Sequence, residues 1–199
     1  EDLQAAYAYI RSHPEIEEVI LTGGDPLTLG DQALHTILEK LESIDHLRVI
    51  RIHTRLPVVN PFRLTTELGR IISSLQKPVW VSAHFNHPQE ITPITRKQIS
   101  KWVSMGIPFL NQSVLLRGVN DSSTVLKELF LSLIEIKVKP YYLHQADMVQ
   151  GTSHLRVSPK RGLQILKEIQ GDLPGYAIPH YVQDRSDGSG KIPLQNKWT

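Results

Sequence analysis

The 199-residue chain contains no cysteine. A disulfide framework, a zinc site with cysteine ligands and a thiol nucleophile are therefore excluded. An iron–sulfur cluster held by cysteines of this chain is excluded for the same reason. The reactive side chains that remain are those with nitrogen and oxygen groups.

The chain also lacks a charge excess and a long apolar run. Its 22 basic and 20 acidic residues give a net charge of +2, and the basic residues are scattered. A nucleic-acid surface is therefore not expected. The apolar runs fall far short of the ~20 residues that cross a bilayer, and the polar N-terminus is not a signal peptide. We expect a cytoplasmic protein without nucleic-acid or membrane partners.

The composition is otherwise that of a folded domain, with 40% hydrophobic residues, 21% charged residues, 12 Gly and 13 Pro. A chain of this length buries roughly 70% of its unfolded surface, which is sufficient for a core. Intrinsic disorder and low-complexity architecture are excluded.

Five short apolar segments predict β-strands, since each is bounded by turn residues or polar stretches. They cover residues 18–22, 47–54, 79–84, 109–116 and 138–144. Their starts recur roughly every 30 residues, the length of one βα unit. The stretches between them carry apolar residues at helical spacing. These stripes are Leu3, Ala6, Tyr7 and Ile10; Leu34, Ile37, Leu38 and Leu41; and Leu126, Leu129, Phe130 and Leu133.

Alternation of strands and helices predicts an α/β fold with a parallel sheet and crossover helices. Five consecutive units favour a partial (β/α) TIM-like barrel, although an open doubly wound sheet stays possible. We expect residues 1–170 to form the partial barrel and residues 171–199 to form a C-terminal extension. Helix starts are predicted at Asp121, Ser122 or Ser123, and at Ser158 with proline following.

Polar residues cluster where the predicted strands end, which is where barrels place their functional groups. Gly23, Gly24 and Asp25 follow the first strand, His84 follows the third, and Gln112 lies on the fourth. Two glycines let a ligand approach the backbone closely, but they also suit a tight turn. Gln112 either contacts a ligand or is satisfied within the protein.

His84 and His87 have a spacing that suggests a metal pair, but on a strand end the two side chains point in different directions. We interpret His84 as a ligand-orienting residue and His87 as loop structure. A metal-dependent barrel hydrolase using His84, His87 and Asp147 is the alternative.

Asp147 and Asp184 would form a site for a substrate ammonium if the fold brings them together. Two isolated loop carboxylates are the other interpretation. Lys191 ends a glycine-containing arm, residues 188–191, that lacks the flanking residues of a phosphate-binding loop. Such a lysine can reach a carbonyl cofactor, or it can belong to a solvated tail.

Six segments, taken in order, resemble the lysine 2,3-aminomutase family of radical S-adenosylmethionine enzymes. They are residues 21–27 (LTGGDPL), 54–59 (TRLPVV), 84–92 (HFNHPQEIT), 111–121 (NQSVLLRGVND), 139–143 (KPYYL) and 190–194 (GKIPL). The resemblance extends over nearly the whole chain with similar spacing.

The resemblance implies roles for the residues found above. Lys191 would bond pyridoxal phosphate, and Asp147 and Asp184 would hold the side-chain ammonium of the substrate. The residues that would contact S-adenosylmethionine are Gly23, Gly24, Asp25, His84 and Gln112. No metal ligand is expected within this chain.

The activity that the resemblance implies is an isomerase reaction, the radical migration of an amino group that converts L-lysine to β-lysine. S-adenosylmethionine, pyridoxal phosphate and a four-iron four-sulfur cluster would be the cofactors. We also expect a homo-oligomer and an external reductant for the cluster.

The chain departs from the family pattern in three places. The cysteine motif of the cluster would precede residue 1, so we expect a fragment that lacks the first barrel unit and is inactive by itself. His144 stands where some relatives carry tyrosine, and Asp187 and Ser189 interrupt the glycine-rich arm. A cluster-free protein that binds an amino acid or pyridoxal phosphate remains an alternative. Whether the role is metabolic or modifies a translation factor stays open.

Overall fold

A computed structural model describes residues 3–185, 188 and 190–195. The chain divides into two compact units. Unit 1 comprises Glu1–Ala83 and Ile94–Phe109, and unit 2 comprises His84–Pro93 and Leu110–Thr199. The expected C-terminal extension lies within unit 2, and its separate standing remains a prediction. Asp187, Ser189 and residues 196–199 lie outside the described residues.

Unit 1 is built from alternating helices and strands. Its strands lie in the order β1-β2-β3 and are parallel, with Leu21 opposite Ile52 and Thr54 opposite Ala83. The elements are α1 (Leu3–Ser12), β1 (Glu18–Leu21), α2 (Asp31–Glu42), β2 (Val49–Thr54), α3 (Leu56–Val59), α4 (Thr66–Ser73), β3 (Val79–Ala83) and, from Ile94 onward, α5 (Pro93–Ser104).

The core of unit 1 forms where the helices cover this sheet. Ile50 and Ile52 are fully buried on β2, where buried and half-buried residues alternate, and Val81 is fully buried on β3. In α2, the three leucines of the predicted apolar stripe, Leu34, Leu38 and Leu41, are buried. This confirms the helical spacing predicted for that segment. The stripe of α1 differs, because Tyr7 is its single buried residue within the helix and Leu3 is half exposed.

Unit 2 contains the remaining strands in the order β4-β5-β6-β7. β5 and β6 are parallel, with Leu143 opposite Tyr181, whereas β6 and β7 are antiparallel, with Asp184 opposite Lys191. The last two strands lie in the segment for which no strand was predicted. The elements are β4 (Phe109–Leu115), α6 (Ser123–Glu135), β5 (Val138–Gln145), α7 (Pro159–Ile169), β6 (His180–Asp184) and β7 (Lys191–Pro193).

Serine caps begin both long helices of unit 2. The hydroxyl of Ser122 accepts a hydrogen bond from the backbone N–H of Val125, which selects one of the three predicted caps of α6. Ser158 accepts from Arg161 in the same way, and Pro159 occupies the first turn of α7. None of the helices in the described part of the chain has the length and hydropathy of a membrane-spanning segment.

Tyr181 anchors α7 on the sheet of unit 2. Its ring is fully buried beside Gly162, and its hydroxyl donates to the side-chain oxygen of Gln145. Gln145 in turn donates to the carbonyl of Val157 at 2.8 Å. Burial raises the pKa of Tyr181, so the hydroxyl remains a donor at neutral pH. The contact fixes β6 three residues before Asp184.

Replacing Gly162 with alanine tests this packing. A Cβ at Gly162 would overlap the Tyr181 ring, so we expect Gly162→Ala to lower the free energy of unfolding by about 1–3 kcal/mol. Gly171→Ala is the matched control, because no heavy atom lies within 4 Å of the added carbon. Equal denaturation midpoints for the two variants would contradict the packing described.

Candidate active site

Gly23 and Gly24 form an open turn after β1 in unit 1. Gly23 has φ +113°, a conformation that L side chains rarely adopt. No heavy atom lies within 4 Å of the position that a Cβ would take on either glycine. A ligand can therefore approach this backbone closely, and contact of the two glycines with S-adenosylmethionine stays a prediction.

Asp25 holds the same turn to the end of β2. Its Oδ1 accepts from the N–H of Leu27 at 3.1 Å and from the hydroxyl of Thr54 at 2.8 Å. Its Oδ2 accepts from the N–H of Arg55 at 2.7 Å. Both carboxylate oxygens are therefore occupied by protein donors. Direct contact between Asp25 and S-adenosylmethionine stays a prediction, and the geometry supports a role in positioning the glycines.

Arg63 is a second support of this turn and was not found from the sequence. Its Nε donates to the carbonyl of Leu27 at 2.6 Å, and its Nη2 donates to the carbonyl of Leu29 at 2.7 Å. Its Nη1 pairs with Asp31 at 2.5 Å. No sequence pattern separates such an arginine from one on the surface, because two of its three partners are backbone carbonyls.

Buried asparagines fix the segment that follows His84 in unit 2. The side chain of Asn111 accepts from the N–H of Phe85 at 2.8 Å and donates to its carbonyl at 3.2 Å. Asn120 donates to the carbonyl of Asn86 at 2.8 Å. Satisfied amides of this kind hold a loop in one conformation. They place His84 at a defined position beside β4.

His87 belongs to the loop, as interpreted from the sequence. Its Nδ1 accepts from the N–H of Gln89 at 3.2 Å, and its own N–H donates to Glu90. These bonds cap a short 3₁₀ turn, Pro88–Glu90. Within residues 3–185, 188 and 190–195, no group of three or more His, Asp or Glu is arranged to hold a metal ion. The alternative hydrolase therefore has no metal site among these residues.

A small cavity of about 180 Å³ lies beside β4 and β5. His84, Gln112 and Asp147 line it together with His144, so three predicted site residues share one cavity. The Oε1 of Gln112 lies 3.1 Å from Nε2 of His144. Gln112 thus has a partner within the protein and also faces a space that a ligand can enter.

The antiparallel pairing of β6 and β7 brings Asp184 and Lys191 together. The Nζ of Lys191 donates to Oδ1 of Asp184 at 2.8 Å. Nδ1 of His144 lies 3.3 Å from the other carboxylate oxygen. The Lys191 ammonium also lies 5.9 Å from the centre of the Tyr142 ring. The ion pair is only partly buried, with side-chain exposures of 37% for lysine and 40% for aspartate.

The charges of this cluster follow from its surroundings. Burial lowers the pKa of His144, and the negative charge of Asp184 only partly offsets that effect. For Asp184, burial alone would raise the pKa, but the hydrogen bond and charge of Lys191, aided by His144, lower it. At neutral pH, Asp184 is therefore an anion and His144 is neutral.

A larger cavity of about 570 Å³ opens beside this cluster. Asp147 and Asp184 both line it, so the fold places the two predicted carboxylates at one cavity of unit 2. The other lining residues are Met148, Val149, Gln183, Arg185 and Ile192. Two carboxylates and one arginine line this open cavity, and the carboxylates suit a positively charged group of a ligand.

His144 and Tyr142 are the site residues that the prediction left out. They lie two positions apart on β5, and residues at that spacing share one face of a strand. The T-shaped contact of their rings, with centroids 5.5 Å apart, shows this shared face. The sequence signal that could have identified both residues is their spacing of two positions, together with the place of His144 near the end of β5.

Comparison with known proteins gave relatives over nearly the whole chain, although no family model matches it. The chain is 44% identical over 194 residues to the L-lysine 2,3-aminomutase of Methanococcus maripaludis, covering 98% of this chain and 45% of the relative. It is 41% identical over 192 residues to the glutamate 2,3-aminomutase of Clostridioides difficile, covering 96% and 45%. The chain thus spans about half the length of the curated relatives it matches.

The solved structure of SuiB from Streptococcus suis, bound to S-adenosylmethionine, has a similar fold. Its TM-score is 0.65 at 11% identity, covering 93% of this chain and 44% of SuiB. This likeness confirms the predicted α/β fold class. Sequence identity above 40% over 98% of the chain establishes the relationship that the six segments indicated. Over nearly its whole length the chain is therefore similar to curated L-lysine 2,3-aminomutases.

Proposed function

We propose that the chain is part of an isomerase that converts L-lysine to β-lysine by migration of an amino group. The similarity to curated L-lysine 2,3-aminomutases supports an aminomutase, and the chain's own cavity supports lysine as the substrate. The whole activity needs residues beyond this chain, since it has no cysteine to hold an iron–sulfur cluster. A cytoplasmic location, a homo-oligomer and an external reductant belong to the same proposal.

The observation that carries the choice of lysine is the contact between Asp184 and an alkyl ammonium. Asp184 binds the Lys191 ammonium at 2.8 Å, and the side chain of L-lysine ends in the same group. Asp147 adds a second carboxylate to the wall of the cavity. A glutamate side chain would bring a like charge to these groups, which is unfavourable. The arrangement therefore favours lysine over glutamate, the substrate named for one relative.

The residues around Lys191 fit pyridoxal phosphate. Lys191 offers a partly exposed primary amine next to the larger cavity, as attachment to this cofactor requires. When bound, pyridoxal phosphate supplies the electron delocalisation that amino-group migration needs. Asp184 holds and orients the amine, and the centre of the Tyr142 ring lies 5.9 Å from it.

The open turn of unit 1 and the small cavity of unit 2 each offer groups for S-adenosylmethionine. Gly23 and Gly24 leave their backbone accessible, and Asp25 holds that turn in place. His84 and Gln112 offer polar atoms at the small cavity. Each of these two places is proposed by itself as a contact for the cofactor, and the cluster ligands come from outside the chain.

Reductive trapping tests the role of Lys191. The chain is incubated with pyridoxal phosphate, reduced with borohydride and digested, and the modified peptide is identified by mass spectrometry. We expect preferential modification of Lys191, because its amine is partly exposed and bonds Asp184, a lining residue of the larger cavity. Lys191→Arg should remove this modification, whereas Lys127→Arg, at a surface ion pair, should not. Equal modification of all lysines would contradict the assignment.

Replacing the carboxylates tests the choice of substrate. In the complete enzyme, assayed anaerobically with S-adenosylmethionine and a reductant, we expect Asp147→Asn or Asp184→Asn to raise the KM for lysine by roughly 10- to 100-fold. This range corresponds to loss of a charged hydrogen bond, about 1.5–3 kcal/mol. Asp172→Asn is the matched control, since Asp172 pairs with Lys127 at the surface. Unchanged lysine turnover in both variants would remove lysine from the proposal.

A further inference from the structure

His144 is flanked by oxygen atoms at both ring nitrogens. Nδ1 lies 3.3 Å from Oδ2 of Asp184, and Nε2 lies 3.1 Å from Oε1 of Gln112. A neutral imidazole carries one N–H, so it can donate to one of these two oxygens. The side-chain amide of Gln112 can be rotated by about 180°, which exchanges the positions of its oxygen and nitrogen, because the two orientations have nearly the same shape.

The surroundings decide which ring nitrogen carries the proton. Burial lowers the pKa of His144, so the ring is neutral at pH 7. A hydrogen bond to the Asp184 carboxylate is stronger than one to a neutral amide oxygen. The proton therefore belongs on Nδ1, and the turned Gln112 amide donates to Nε2. The hydrogen bonds then run in one direction, from Gln112 through His144 to Asp184.

We propose that His144 is a positioning residue that acts through Asp184. Its Nδ1–H holds Oδ2 of the carboxylate, which leaves Oδ1 directed at the ammonium opposite. In this structure that ammonium is Lys191, at 2.8 Å. That the substrate ammonium takes this place during turnover rests on the proposed function. The hydrogen-bond chain from Gln112 through His144 to Asp184 does not depend on it.

Protonation of His144 should weaken the binding of an ammonium at Asp184. The charged groups near the ring are Asp184 on β6, Lys191 on β7 and Asp147 after β5. His84 faces it across the small cavity, and Tyr142 contacts it from the same strand. As the pH falls through the lowered pKa, the imidazolium becomes a second cation beside the still ionised Asp184. Ammonium affinity is therefore retained above this pKa and lost below it.

Two substitutions separate the two ring nitrogens. An asparagine at position 144 places its amide nitrogen near the Nδ1 site, whereas a glutamine places its amide nitrogen near the Nε2 site. His144→Asn should therefore keep the bond to Asp184, and His144→Gln should lose it. Neither side chain titrates, so both variants lack the protonation step.

Nuclear magnetic resonance of the 199-residue chain provides a test that needs no activity. In the unsubstituted protein, ¹⁵N shifts of the His144 ring should show the neutral form protonated at Nδ1. The side-chain carboxyl carbon of Asp184 should titrate at a higher pH in His144→Gln and at an unchanged pH in His144→Asn. A proton on Nε2, or the same Asp184 titration in both variants, overturns the inference. The ring shifts decide the question even where a variant fails to fold.

Kinetics of the complete enzyme extend the test to the substrate. We expect the KM for lysine to rise as the pH falls through the lowered pKa of His144, which lies below the ordinary histidine value of about 6.5. His144→Asn should abolish this rise. His144→Gln should raise the KM by about three- to tenfold at every pH, as loss of one hydrogen bond predicts, with kcat little changed. If the resonance results hold but lysine is not turned over, the proposed function fails while the positioning role stands.

Discussion

The ion pair between Asp184 and Lys191 is the interaction on which the site of unit 2 depends. It exists because β6 and β7 are antiparallel and place the two residues opposite each other. A partly exposed pair of this kind adds little to stability. Its importance is geometric, since it holds an amine against a carboxylate that lines the larger cavity. His144 and Gln112 then extend the polar chain to a second cavity.

Several residues of the recognised segments form hydrogen bonds that hold the backbone of their own unit. In unit 1, Asp25 accepts hydrogen bonds from the N–H groups of Leu27 and Arg55. In unit 2, Asn111 and Asn120 fix the segment that follows His84. Replacing such a residue is costly, because it leaves a buried polar group without its partner. Part of the resemblance to the family therefore comes from residues that hold the backbone near the site. Sequence alone does not separate these residues from the ones that touch a ligand.

The predicted strands agree with β1 to β5 within two residues at each end, because apolar runs and turn residues mark them clearly. β6 and β7 were not predicted. Pro179 precedes the first of them, and the second is only the three residues Lys191–Pro193, too short for a hydrophobic pattern. Their pairing comes from tertiary contacts. For that reason the sequence placed Asp184 and Lys191 in the site by family resemblance, and their distance emerged only from the fold.

In the proposed function, the ammonium of Lys191 and the ammonium of the substrate both bind Oδ1 of Asp184, which holds one of them at a time. Oδ1 of Asp184 binds Lys191 in this structure, so a substrate ammonium can take that position only after Lys191 moves away. An unsupported carboxylate would be free to rotate once its partner leaves. The hydrogen bond to His144 restrains Oδ2 and keeps the other oxygen in place during such an exchange. A buried, neutral histidine suits this role, because it orients the carboxylate without competing for its charge.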